Sequence, residues 1–170
     1  MARWAGAVNW GMPMRLALLA AAAFLPSTSC AAAAQRPAVE HFPPDESVQA
    51  AARAGGFRLP FSSAVRVGDI LYLSGVIGTG GDGRLAPGIE AQTRQTMDNI
   101  GAMLKRAGRS FDDVFKCTVM IDDMREWQAF NRVYMTYFKP DRLPARSAFG
   151  ADGLALGALV EVECLAHAPA

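Results

Sequence analysis

Residues 144–166 read PARSAFGADGLALGALVEVECLA, and the reading of this stretch decides what the rest of the chain is for. It opens with Arg146 in a proline-constrained Pro-Ala-Arg-Ser turn, crosses a glycine-bearing loop and ends in a strand that carries Glu161 and Glu163 among aliphatics. Side chains alternate along a strand, so Val160, Val162, Cys164 and Ala166 share one face while Leu159, Glu161, Glu163 and Leu165 share the other. The first face suits a core covered by helices. The second holds two carboxylates, which are rarely buried without partners. Either that face is simply wet, as half-buried strands are, or Arg146 and one of the glutamates converge in a cleft.

Working outward, residues 65–77 hold two strands around the Gly68-Asp69 turn, with Ser74-Gly75 interrupting a bulky run. A glycine there fits a bulge or the close approach of a ligand or another backbone. Residues 89–107 have helical period, with Ile89, Thr93, Met97, Ile100, Leu104 and Ala107 on one face and Gly108 as the stop. Ser110 and Asp113 have capping-box spacing before a third strand, 115–121, whose expected core side is Phe115, Cys117, Val119 and Ile121. Asp123 and Glu126 repeat that spacing ahead of a second long helix with an aromatic stripe of Trp127, Phe130, Tyr134, Tyr137 and Phe138. The stripe is read as a seal for the sheet, with no ligand role. The order strand, strand, helix, strand, helix, strand gives an α+β domain, a mixed sheet with two long helices packed on one face.

The motifs at 144–147 and 157–166, continued back through 59–78, 88–108 and 114–138, resemble the RidA/YjgF family of enamine/imine deaminases. The resemblance covers nearly all of the chain after residue 37 and implies a chorismate-mutase-like fold. It makes Arg146 the substrate-carboxylate clamp, a role that a bidentate guanidinium suits better than lysine; the residue types alone also allow a structural ion pair with Glu161 or Glu163. It makes Glu161 the group that directs water at the imine carbon, with Glu163 ranked as structural or interfacial. Ser74, Gly75, Phe61, Ser147 and Ala148 are implied in substrate binding, with Asn131 at the pocket rim. Three positions depart from the family pattern: Phe61 replaces tyrosine, Ser63 replaces glutamine and Ala148 replaces cysteine. The implied reaction is hydrolysis of 2-aminoacrylate or 2-aminocrotonate, through the 2-imino acids, to 2-oxo acids and ammonia, with no cofactor. The alternative is an inactive small-carboxylate binding protein of the same fold.

The expected apolar excess also bears on assembly. Leu71, Leu73 or Tyr72, Val65 or Val67, Leu159 and Leu165 cannot all be covered by helices on one side, and an exposed patch of that kind favours association. The family resemblance implies a homotrimer with sites between subunits. Composition excludes less. At 170 residues and a net charge of +1 the chain has room for one domain and implies no polyanion or nucleic-acid partner. His41 and His167 have no third ligand at useful spacing, so no metal site is expected.

Residues 1–34 read as an N-terminal export signal: Arg15, an apolar run to Pro26, then small residues to Ala34. Cleavage near Ala34 would deliver a periplasmic or secreted protein without stable membrane insertion; the alternative is a lipoprotein anchored through Cys30. Residues 35–58 are expected to be an irregular lead-in with one helical turn over 46–53, and 59–168 the RidA-like domain. Cys117 and Cys164 lie on apolar strand faces and are read as two small core hydrophobes, although export would permit a disulfide.

Overall fold

The computed structural model describes residues 37–56 and 58–169; the stretch 1–34 expected to be an export signal, with its expected cleavage zone and Cys30, lies outside the described residues. Strands β1 (Val39–Phe42), β2 (Ala64–Val67), β3 (Ile70–Leu73), β4 (Val76–Ile77), β5 (Val114–Ile121), β6 (Ala145–Gly150) and β7 (Val160–His167) form one sheet. Its order is β1-β2-β3-β7-β5-β6, with β4 also paired to β7. Only β5 and β6 run parallel, because α3 (Trp127–Tyr134) carries the chain back between them. Helix α2 (Gly88–Arg106) joins β4 to β5, and a shorter α1 (Glu46–Ala54) precedes β2.

Alternation along β7 is as the sequence implies: Val160, Val162, Cys164 and Ala166 are buried while Glu161, Glu163 and Leu165 lie on the opposite face. Leu71 and Leu73 join the buried side, so the core lies between this face and the helix residues Met97, Ile100, Leu104, Phe130 and Tyr134. Burying each such side chain contributes about 1.5–3 kcal/mol, and this layer fixes the sheet's orientation to the helices. The other face keeps Tyr72 and Phe149 exposed at 44% and 50%, with Val65 and Leu165 half-buried.

Several expectations need correction. The lead-in is not irregular: β1 extends the sheet by pairing with β2, and α1 runs for nine residues, not one turn. Phe115 is not a core residue. The pairing of β5 with β7 slips between Val114 and Lys116, which makes Phe115 the extra residue of a bulge, leaves it exposed and puts Val114 in the core instead. The second long helix is eight residues of α-helix flanked by single 3-10 turns, Met124–Glu126 and Met135–Tyr137. Asp123 caps it by accepting from the Arg125 N–H, without the reciprocal bond that makes a capping box at Ser110 and Asp113.

The cysteines are bonded, not merely packed. Cys117 and Cys164 are directly opposed on β5 and β7, with Cα atoms 4.1 Å apart, and form a disulfide. Period-two alternation places both on the buried face, but their opposition follows from register, which the bulge at Phe115 sets.

Candidate active site

Arg146 does not sit in a turn. It is the second residue of β6, and its register neighbour on β5 is Cys117, a buried residue of the helix-covered face. The Arg146 side chain therefore points to the helices. Its Cζ lies 4.5 Å from the ring centre of Trp127 and 4.7 Å from that of Tyr134, with Phe130 at 5.8 Å. Rings at this distance attract a guanidinium through their negative faces. No carboxylate among the described residues lies within ion-pair distance of it, so the structural salt bridge to Glu161 or Glu163 does not form.

Helix α3 itself holds two polar groups without partners. Asn131 Oδ1 and the Tyr134 hydroxyl are both buried with no hydrogen-bond partner in the protein. Buried polar atoms are nearly always satisfied, so two orphans beside an unpaired arginine mark a place completed by a ligand or water. Burial pushes the Tyr134 phenol up to about 12, against the opposing influence of Arg146, so it is a neutral hydroxyl at physiological pH. Ala148, two residues beyond Arg146, is on this face too, opposite Val119 and half-buried.

Glu161 occupies the other face. Its register neighbours are Met120 on β5 and Ile77 on β4, and its carboxylate folds over the break between β3 and β4. A Cβ built on Gly75 would lie 1.9 Å from Glu161 Oε1 and 2.9 Å from Cδ, so glycine is required for the carboxylate to rest there. The close approach anticipated at this glycine is thus made by the glutamate itself. Burial, reinforced by the nearby charge of Glu163, raises the Glu161 carboxyl above its ordinary range. Glu163 itself is exposed.

The remaining polar groups fix the surroundings of Glu161. The Ser74 hydroxyl donates to the Ser62 carbonyl at 2.7 Å and its N–H to the Ser63 carbonyl at 2.9 Å, closing the chain against the segment that carries Phe61. Phe61 is 49% exposed. A hollow of about 500 Å3 on this face is bordered by Tyr72, Ser74, Gly75, Lys116, Thr118 and Glu163. Ser147 belongs here too, since its hydroxyl accepts from Lys116 Nζ at 2.7 Å. Gln92 on α2 accepts the Leu159 N–H at 2.8 Å and so pins the chain two residues before Glu161.

The convergence of Arg146 with a glutamate is therefore not found within one chain. The sheet separates a cation-bearing half, Arg146 with Asn131 and Ala148, from a carboxylate-bearing half, Glu161 with Ser74, Gly75 and Ser147. Trp127, Tyr134, Gln92 and Lys116 were not anticipated. The aromatic stripe does more than seal the sheet, because Arg146 is seated on it.

The family model described as Endoribonuclease L-PSP matches residues 51–168. The chain belongs to this family, the RidA/YjgF family. It is similar to the mouse protein named 2-iminobutanoate/2-iminopropanoate deaminase, 39% identical over 109 residues that span 63% of this chain and 80% of the mouse protein. The human protein of that name is 37% identical over 117 residues, 68% of this chain and 85% of the relative. Among solved structures, the Rid-family protein YyfA of Yersinia pestis superposes with a TM-score of 0.62 at 41% identity, covering 64% of this chain and 87% of that one. Among the described residues no helix is long and apolar enough to cross a membrane, and no three histidine, cysteine or acidic side chains cluster as metal ligands.

Proposed function

We propose that the protein hydrolyses 2-imino acids to 2-oxo acids and ammonia in clefts formed between subunits of a homotrimer. Likeness to the deaminases supports a deaminase-type activity on small imine and enamine acids. The observation that carries the finer reading is the pair of unpartnered opposite charges, Arg146 and Glu161, held on opposite faces of one sheet. Neither neutralises the other within a chain. Edge strand β6 has one side free of strand partners, so Arg146 can be presented at the rim of one subunit to the open face of the next. The exposed Tyr72 and Phe149, with half-buried Leu165, supply apolar surface for that contact.

In such a cleft Arg146 takes the substrate carboxylate through two parallel N–H···O bonds, and Asn131 Oδ1 accepts from the substrate nitrogen. Glu161 accepts a proton from water as the water oxygen bonds to the imine carbon. The C=N π pair moves to nitrogen, which takes up that proton from Glu161, giving a carbinolamine. Glu161 then accepts the hydroxyl proton and passes it to the nitrogen, so the carbonyl re-forms as the C–N bond breaks and ammonia leaves. A carboxyl raised above its ordinary range suits both transfers. The substrate carbon is already electrophilic, so positioning of water is the main task.

The test generates 2-iminopropanoate with an amino-acid oxidase and follows its decay in competition with semicarbazide. Wild-type protein should release 2-oxo acid and ammonia faster than the spontaneous rate; Arg146→Ala should lose substrate binding, and Glu161→Gln should bind but not turn over. A wild-type rate equal to the spontaneous one, with Arg146-dependent binding of 2-oxobutanoate, would make the protein a small-carboxylate receptor.

A further inference from the structure

Trp127 and Tyr134 stand seven residues apart, about 10.5 Å along a helix axis. Arg146 Cζ is 4.5 Å from one ring centre and 4.7 Å from the other. The guanidinium carbon therefore lies against both rings, and 5.8 Å from the ring centre of Phe130, which stands between them in the chain. Trp127 packs on Phe130 at 5.7 Å and Phe130 on Tyr134 at 5.3 Å, which leaves the two outer rings little freedom to close or drift apart. A guanidinium carries all five of its N–H donors in its plane. Rings stacked on its faces would leave those donors available at the edge, and no described residue accepts a hydrogen bond from Arg146.

We infer that Trp127 and Tyr134 are positioning residues that clamp the Arg146 guanidinium face-on, so that its in-plane donors form a preorganised receptor for a planar carboxylate. This rests on the reading of Arg146 as the carboxylate-binding group. An arginine on a strand has four freely turning side-chain bonds, and orienting it at the moment of binding costs entropy that the clamp has already removed. The binding it improves is common to substrate and transition state, so the clamp acts on KM and on product affinity and leaves kcat alone. Tryptophan is the best ring for a cation, and phenylalanine preserves the geometry with a weaker attraction.

The experiment uses the full chain with Trp4 and Trp10 replaced by phenylalanine, so that Trp127 is the only fluorophore of its kind. Titration with 2-oxobutanoate neutralises the cation lying over the ring and should shift Trp127 emission, with no shift in Arg146→Ala. In the wild-type background, Trp127→Leu should raise the 2-oxobutanoate Kd and the 2-iminopropanoate KM about tenfold, with kcat within about twofold of wild type. Trp127→Phe should restore most of that loss. Thermal midpoints identify any variant that is merely misfolded, and the emission shift tests the clamp even then. Trp127→Leu that binds like wild type, or emission indifferent to saturating ligand, overturns the clamp while the carboxylate role of Arg146 stands. Arg146→Ala that binds 2-oxobutanoate like wild type overturns that role as well.

Discussion

Replacing Gly75 by alanine adds a single methyl group at the point where Glu161 rests. The new Cβ would lie 1.9 Å from Oε1, whereas carbon and oxygen approach ordinarily to about 3.3 Å, so the oxygen must retreat by about 1.4 Å. The Gly75 backbone is outside the left-handed region, so alanine adds no backbone strain. Glu161 is half-buried on the open face and can swing away, so global stability should change by less than about 1 kcal/mol. Catalysis should respond far more strongly. A misplacement of about 1 Å can cost about 100-fold, equivalent to about 2.7 kcal/mol of barrier, so kcat for 2-iminopropanoate should fall by about that factor with the thermal midpoint nearly unchanged. Gly78→Ala is the contrasting substitution: its Cβ would meet backbone atoms of Gln92 at 2.5 and 2.8 Å, which cannot swing away, so α2 must shift and stability should fall. Semicarbazide competition and thermal unfolding of both variants decide the matter. Gly75→Ala with wild-type turnover would refute the placement of Glu161 as the water-directing group.

Three further outcomes follow from the geometry. Glu161 must be ionised to accept a proton from water, so kcat should fall as pH drops through its raised pKa; Glu163→Gln removes one of the influences that raise it and should move that acid limb to lower pH, and a limb that stays in place contradicts the assignment. The Cys117–Cys164 bond closes a loop of sequence separation 47, for which chain entropy gives about 4 kcal/mol; unfolding with and without reductant should differ by about 10–15 °C. A buried disulfide suits an oxidising compartment, and we propose that the chain is exported: N-terminal sequencing after expression in a Gram-negative host should find Ala34 or Gln35 first, while fatty acid on Cys30 would mark the lipoprotein route instead.

The alternating faces of β7, the stripe on α2 and the Ser110 cap were legible because each depends on residues close in sequence. What escaped depends on register between distant strands. A one-residue bulge at Phe115 exchanges which β5 side chains enter the core, and no periodicity in 115–121 announces it. The same register puts Cys117 opposite Cys164 and beside Arg146, which makes the disulfide and turns the arginine toward α3. Sequence named Arg146, Asn131, Ala148, Glu161, Ser74 and Gly75 but not the sheet faces they take, because which face an arginine on a parallel edge strand takes is settled by pairing alone. Trp127 carried a signal, an aromatic one turn before Asn131 and two before Tyr134, yet a stripe of that spacing is equally what any core helix shows.

If each cleft draws Arg146 from one chain and Glu161 from another, two variants that are inactive alone should complement each other. Arg146→Ala and Glu161→Gln are each purified, shown to be inactive alone, then mixed in equal amounts, unfolded and refolded together. In randomly assembled trimers a cleft regains both groups when its arginine comes from a Glu161→Gln chain and its glutamate from an Arg146→Ala chain, so activity should return to about a quarter of wild type. Mixed oligomers that assemble and remain inactive would show that the cleft is not shared between chains, because a site contained within one chain cannot be repaired by its neighbour.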